Sequence, residues 1–252
     1  AHRPRLADLQ PITAGPSSHA TALRSSPQGR VTPASQLEGR SGYSDEFLGE
    51  FVVPWPTVST PDDVYPLGNP GNRLDYTHFS ISMSRSRRIA LYVGVNIEGG
   101  SSVEIVRSQD AWAYDGRLPV EAQIGDDLYR DNLLDRGHLV RRQDPNWGAE
   151  AQTANQDTFH FTPRAFWKVV AFLGDDGTPS ASAYLIDQTR ELGKLELVFG
   201  ALRTYRRSVV QIEQLTGISF GELARYDGFS NEEQLTGTRI EALIQRPEDI
   251  RL

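Results

Sequence analysis

The polar and apolar positions along the chain change character near residue 40. Residues 1–40 hold no Phe, Trp or Tyr, and five prolines stand among scattered Ser, Thr and Gly. So little apolar surface cannot offset the entropy of ordering, so an extended or disordered arm is expected over 1–40 and a domain over 41–252. Residues 76–84 (YTHFSISMS) alternate polar and β-favouring types, 88–97 (RIALYVGVNI) form a longer β-rich run, and the two predict a hairpin. A second hairpin is predicted by 165–173, a Gly-Asp-Asp-Gly turn at 174–177, and 181–186. Residues 195–202 predict a further strand. Val209, Ile212 and Leu215 have helical spacing within 208–215, and short helices are expected over 219–226 and 238–246. Strands outnumber helices, and hairpins outnumber βαβ units. The class is therefore α+β, a mostly antiparallel sheet flanked by helices.

Composition narrows the chemistry. No run of eighteen apolar residues occurs and no basic stretch followed by an apolar one opens the chain, so neither a membrane span nor an intact signal peptide is expected. With no cysteine, disulfides, thiolate metal sites and a cysteine nucleophile are excluded. The net charge is -7, yet only Lys168 and Lys194 among the 26 basic residues are lysines, leaving 24 arginines. Codon usage is the simpler account of that bias. The alternative is that planar guanidinium forks serve phosphate contacts, in which case their placement matters more than their number.

Two motifs carry candidate chemistry. Gly217-Ile-Ser219-Phe-Gly221 has the spacing of a hydrolase nucleophile elbow, which needs a strand before the serine. A helical run precedes it instead, and Ser219 with Glu222 fits a helix-capping box, so capping is the expected role of Ser219. The five histidines form no helical HxxxH or HExxH pair, which leaves zinc chemistry unsupported. His78 and His160 sit in β-like runs, where a hydrogen-bonded structural imidazole is expected. His138 differs: it ends Asp135-Arg136-Gly137-His138 and is followed by Leu-Val-Arg141-Arg142. A neutral imidazole can take a proton from water near neutral pH, glycine lets backbone and substrate approach, and arginines hold phosphate oxygens and stabilise growing charge. On those grounds alone a solvated turn with a structural histidine is the better account, because four residues are a short signal.

The tetrad resembles the DRGH signature of the DNA/RNA non-specific endonucleases, the ββα-metal group that includes endonuclease G-like enzymes. The likeness extends through 43–48 (YSDEFL), 76–79 (YTHF), 95–99 (VNIEG), 112–118, 135–148 (DRGHLVRRQDPNWG) and 154–159, and further to 166–170 and 212–217, so it spans about 43–227. The resemblance implies an endonuclease acting on DNA and RNA and leaving 5′-phosphate ends. His138 would be the general base, Arg136 would sit near the scissile phosphate, and Asp135 would support the geometry. Arg107 and Arg141 would bind substrate phosphates, and one Mg2+, or Mn2+, would serve as cofactor. It is also compatible with a homodimer and with a secreted or periplasmic location, and it implies no membrane partner.

The chain departs from the family pattern after 157–162 (DTFHFT). An Asn-x-x-Pro-Gln stretch and a helix bearing the metal-binding asparagine should follow, but Thr162 runs directly into 163–167 (PRAFW). The metal helix has no counterpart, neither Asn146 nor Asn155 matches the ligand position, and the metal ligand is unassigned. A segment left out of this sequence or deleted is the favoured explanation, and a natural variant that has lost catalysis is the other. An inactive relative that binds nucleic acid or protein is the alternative function, with a serine hydrolase using Ser219 the outsider.

Overall fold

A computed structural model describes residues 29–106, 112–125, 138–158, 160, 166–187, 203–246 and 249–250. Along the chain the strands are β1 (Val31–Thr32), β2 (Thr57–Val58), β3 (Leu74–Tyr76), β4 (Phe79–Met83), β5 (Ala90–Val95) and β6 (Tyr114–Asp115). Helix α1 (Ala151–Asp157) follows, then β7 (Phe166–Leu173), β8 (Pro179–Asp187) and β9 (Arg203–Arg207), helix α2 (Val209–Thr216), β10 (Ile218–Ser219), helix α3 (Gly228–Thr236) and β11 (Ala242–Ile244). Two sheets dominate, ordered β3-β4-β5 and β11-β9-β8-β7, and every pairing inside them is antiparallel. The α+β class holds.

Both expected hairpins form, with one change. The run 76–84 is not a single strand, because Tyr76 pairs directly with Phe79 and the chain reverses over Thr77 and His78. So tight a turn needs left-handed backbone, which His78 supplies at φ 67°. The run lacks the Asn-Gly or Asp-Gly signal that would have betrayed it. The resulting β3-β4-β5 sheet buries Leu74, Tyr76, Phe79, Ile81 and Met83 together with Leu37, Leu118 and Val140. Each such apolar side chain contributes about 1.5–3 kcal/mol on leaving water. The other core joins β8 to α2 and β10 through Ala183, Val209, Ile212 and Ile218, and Tyr92 of β5 joins it too. The two sheets thus share their packing.

Helix α2 appears where its spacing predicts. Ser208 caps it by accepting from the Gln211 N–H, and it ends at left-handed Gly217. One expectation fails nearby. Residues 238–246 contain a strand, β11, whose backbone pairs with β9, and the helix in this region is α3, ten residues earlier. Its apolar stripe is thin, and its start depends on Asp227 accepting from the Phe229 and Ser230 N–H groups, a cap that periodicity does not register. Residues 221–226 form a 3-10 helix with no side-chain cap at its start. The strand expected over 195–202 lies outside the described residues.

Packed structure reaches back to Val31. Strand β1 pairs in parallel with β6, Leu37 is only 2% exposed, and Arg40 binds Asp157 with Nε 2.9 Å from its carboxylate. The stretch has no aromatic residue of its own and borrows apolar surface from the β3-β4-β5 core. Among the described residues no helix is long and apolar enough to cross a membrane.

Candidate active site

His138 opens the described run 138–158. It is partly exposed, and its ring leans on Trp112, with centroids 4.8 Å apart and planes at 45°. Two residues on, Val140 is buried in the core under β3 and β4, which seats the histidine at the margin of that sheet. Trp112 is positioned by the segment after it. Asp115, fully buried, receives the Tyr76 hydroxyl and the Arg117 guanidinium, whose Nη2 lies 2.7 Å away. Burial opposes ionisation of Asp115, but the bond and charge of Arg117 outweigh it and hold the carboxyl below its ordinary range. Gln123 braces the same segment, accepting from Asp115 N–H at 2.8 Å and donating to Asp115 O at 2.9 Å.

The chain downstream of His138 is pinned at several points. Arg142 donates to the Ile105 carbonyl at 3.3 Å, so 138–142 runs beside the stretch that leads to Arg107. Val103 N–H donates to Asn146 O, and Gly148 N–H to Ser101 O. Trp147 donates through Nε1 to Asn96 O at 2.9 Å and stacks on His78 at 3.4 Å. His78 Nδ1 lies 2.8 Å from Pro145 O, and Nε2 is 3.7 Å from Glu150. His78 and His160 are therefore buried structural imidazoles, as expected. His160 contacts Asp157 O and Thr32 Oγ1. Asp157, at the end of α1, accepts from Thr77 N–H at 2.9 Å and Thr77 Oγ1 at 2.8 Å besides Arg40.

The other expected site residues divide as follows. Arg141 is 77% exposed, with Nη1 4.0 Å from Asp144, and so presents its guanidinium to solvent next to His138 in the chain. Burial pushes the Asp144 carboxyl up against the opposing pull of Lys168 and Arg141. Asp135, Arg136 and Arg107 lie outside the described residues, as does the junction between Thr162 and Pro163. The participation of Trp112, His78 and Trp147 escaped sequence reasoning about function. Only their places inside the family-like stretches pointed to them.

A hard divalent cation needs about six oxygen ligands. Among the described residues no three His, Asp or Glu side chains converge to hold one. Asn146 and Asn155 are buried and bound to each other, Nδ2 of the first donating to Oδ1 of the second at 3.3 Å. Asn146 Oδ1 accepts no hydrogen bond, but one amide oxygen is not a donor set. The described residues do not fit a magnesium centre.

Ser219 departs from its expected capping role. Its hydroxyl accepts from Gly221 N–H at 3.3 Å and approaches Glu213 Oε1 at 3.3 Å, which makes it a local turn residue at the end of the two-residue strand β10. Neither partner is an imidazole. The elbow chemistry has no base there.

Residues 60–162 match the sequence model of the DNA/RNA non-specific endonucleases, a narrower span than the resemblance drawn over 43–227. An uncharacterised protein, y4fB, of Sinorhizobium fredii is 39% identical over 171 residues, covering 60% of this chain and 25% of that protein. The chain thus spans about a quarter of the length of this relative. No solved structure matches it. Over residues 60–162, a span that includes the sequence tetrad 135–138 and strands β3, β4 and β5, the chain is similar to the DNA/RNA non-specific endonucleases.

Proposed function

We propose that the domain hydrolyses phosphodiester bonds of DNA and RNA with His138 as general base. The carrying observation is the family match over residues 60–162, which contains the tetrad. A neutral imidazole takes a proton from water, the water oxygen bonds to phosphorus, the bond to O3′ breaks, and the leaving O3′ takes a proton from solvent, giving a 5′-phosphate and a 3′-hydroxyl while the imidazolium later returns its proton to solvent. Contact with Trp112 limits rotation of the His138 ring. Arg141 offers an exposed guanidinium in the same segment, and Arg136 and Arg107 complete the phosphate contacts in this reading. The Mg2+ or Mn2+ requirement comes with the resemblance alone; since the described residues do not fit such a centre, no step is assigned to a metal.

Supercoiled plasmid and single-stranded RNA, each incubated with the protein plus Mg2+ or Mn2+ and with excess chelator, test the reading. Cleavage is expected only with the cation, and His138→Ala should lower turnover by about 10²–10⁴ while a labelled oligonucleotide still binds. Undiminished cleavage by His138→Ala would refute the assignment of the base. The absence of a cation cage among the described residues favours one second reading, an inactive relative that binds nucleic acid. Binding without cleavage under either cation would select it.

A further inference from the structure

Several arginines of the described residues face a carboxylate. Arg40, Arg73, Arg117, Arg141, Arg206, Arg207 and Arg225 each lie within 4.0 Å of a carboxylate. The turn 84–89 between β4 and β5 gathers three that do not. Arg85, Arg87 and Arg88 are all exposed there, and none is within ion-pair distance of a carboxylate among the described residues. Three guanidiniums in four residues make a local positive surface on a chain of net charge -7.

The turn is also stiff. Asp63 spends its carboxylate on the Ser84 hydroxyl at 2.7 Å and the Ser86 N–H at 2.8 Å, while its carbonyl accepts from Arg85 N–H at 2.6 Å. The Ser84 hydroxyl accepts from Arg87 N–H at 2.9 Å. Arg88 is held in the left-handed region, φ 60°, where a bulky side chain is strained. That conformation lets its carbonyl accept from Ile124 N–H at 3.0 Å and its guanidinium donate to Gln123 O at 2.7 Å. Asp63 does feel Arg87, though less than it feels the two serines. Guanidiniums on a braced turn lose little backbone freedom on binding an anion.

The tether to Gln123 fixes where this surface lies. Gln123 is bonded to Asp115, and Trp112, three residues before Asp115, touches His138. Two hydrogen-bonded contacts, three residue steps and one ring contact thus link the turn to His138. We propose that the turn 84–89 is a second nucleic-acid contact, at which Arg85 and Arg87 grip backbone phosphates of the polynucleotide whose scissile bond lies at His138. The location of the partner's bond at His138 rests on the nuclease reading; the phosphate contact itself does not.

The test measures binding of a fluorescein-labelled 16-base-pair duplex by anisotropy. It uses the full chain carrying His138→Ala, in excess chelator, from 50 to 200 mM salt. Each phosphate contact contributes about 0.9 to the slope of log K against log salt. Adding Arg85→Ala and Arg87→Ala should therefore lower the slope by about 1–2 and weaken binding several-fold at low salt, with an unchanged circular dichroism melting curve. Arg225→Ala with Arg239→Ala removes the same charge elsewhere and should leave the slope as it was. An unchanged slope in the Arg85/Arg87 pair overturns the proposal, as does an equal fall in the control pair. Anionic vesicles bound through Arg85 and Arg87, with the duplex slope unaltered, would also overturn it and reassign the surface. Failure of the wild type to cleave plasmid under Mg2+ or Mn2+, with the slope change intact, would remove the nuclease reading and leave this surface standing.

Discussion

His160 shows how a single residue acquires behaviour from its surroundings. Burial pushes its imidazole below the ordinary value of 6.5, against opposing pulls from the Asp157 carbonyl and the Asp115 and Asp157 carboxylates. The unfolded chain takes up a proton near pH 6.5, the folded chain only at lower pH. In the window below 6.5 the unfolded state therefore binds more protons, and stability falls as pH falls through that window while being fully present above it. Urea midpoints measured from pH 8 to 5 should decline less steeply in His160→Gln than in the wild type. A constant difference between the two across that range would show that His160 does not couple to stability. The sequence marked this residue as structural from its β-like context, but its partners Thr32 and Asp157 are far apart in the chain and carried no sign of each other.

At the scale of elements, the helices of the second half depend on one carboxylate. Asp227, fully buried, accepts from Val209 N–H at 2.9 Å at the start of α2, and from Ser230 N–H at 3.0 Å and Phe229 N–H at 3.3 Å at the start of α3. Arg206 of β9 approaches it at 3.8 Å and lies over the Phe229 ring. Removing the carboxylate frees several buried N–H groups and leaves the Arg206 charge without its partner. Asp227→Ala should cost about 3–5 kcal/mol in urea unfolding, and Asp227→Asn, still a competent cap, should lose less. Equal stability of both variants with the wild type would show that the helices do not depend on this node. Periodicity found α2 because its apolar residues face a core. It missed α3, whose specification lies in this cap.

For the whole molecule, the packed boundary reaches beyond residue 41. Leu37 packs among residues of β3 and β4, so Leu37→Ala should cost about 2–5 kcal/mol through lost burial and the cavity left behind. An arm outside the core would give a change near zero in the same denaturation. The domain therefore uses part of its aromatic-free leading stretch to close the core in which Val140, two residues after His138, is buried. A composition argument counts only the apolar surface that a segment brings, and this one is stabilised by surface that other segments present.

The sequence by itself determined the α+β class, both hairpins, α2 and the tetrad at 135–138, because each is written in nearest-neighbour terms: a two-residue alternation, a 3.6-residue repeat, a glycine turn, a four-residue motif. Tertiary structure decided the rest. Strand β11 exists because β9 offers it a ladder, the turn at His78 because Tyr76 pairs with Phe79, and Ser219 fails to cap because Glu213 and Gly221 occupy its hydroxyl. It also separated the arginines that face carboxylates, such as Arg117 on Asp115 and Arg206 on Asp227, from the three on the turn 84–89 that do not. Residue type and spacing are local quantities, whereas burial, pairing and charge compensation depend on groups tens of residues away, which only the folded chain brings within reach.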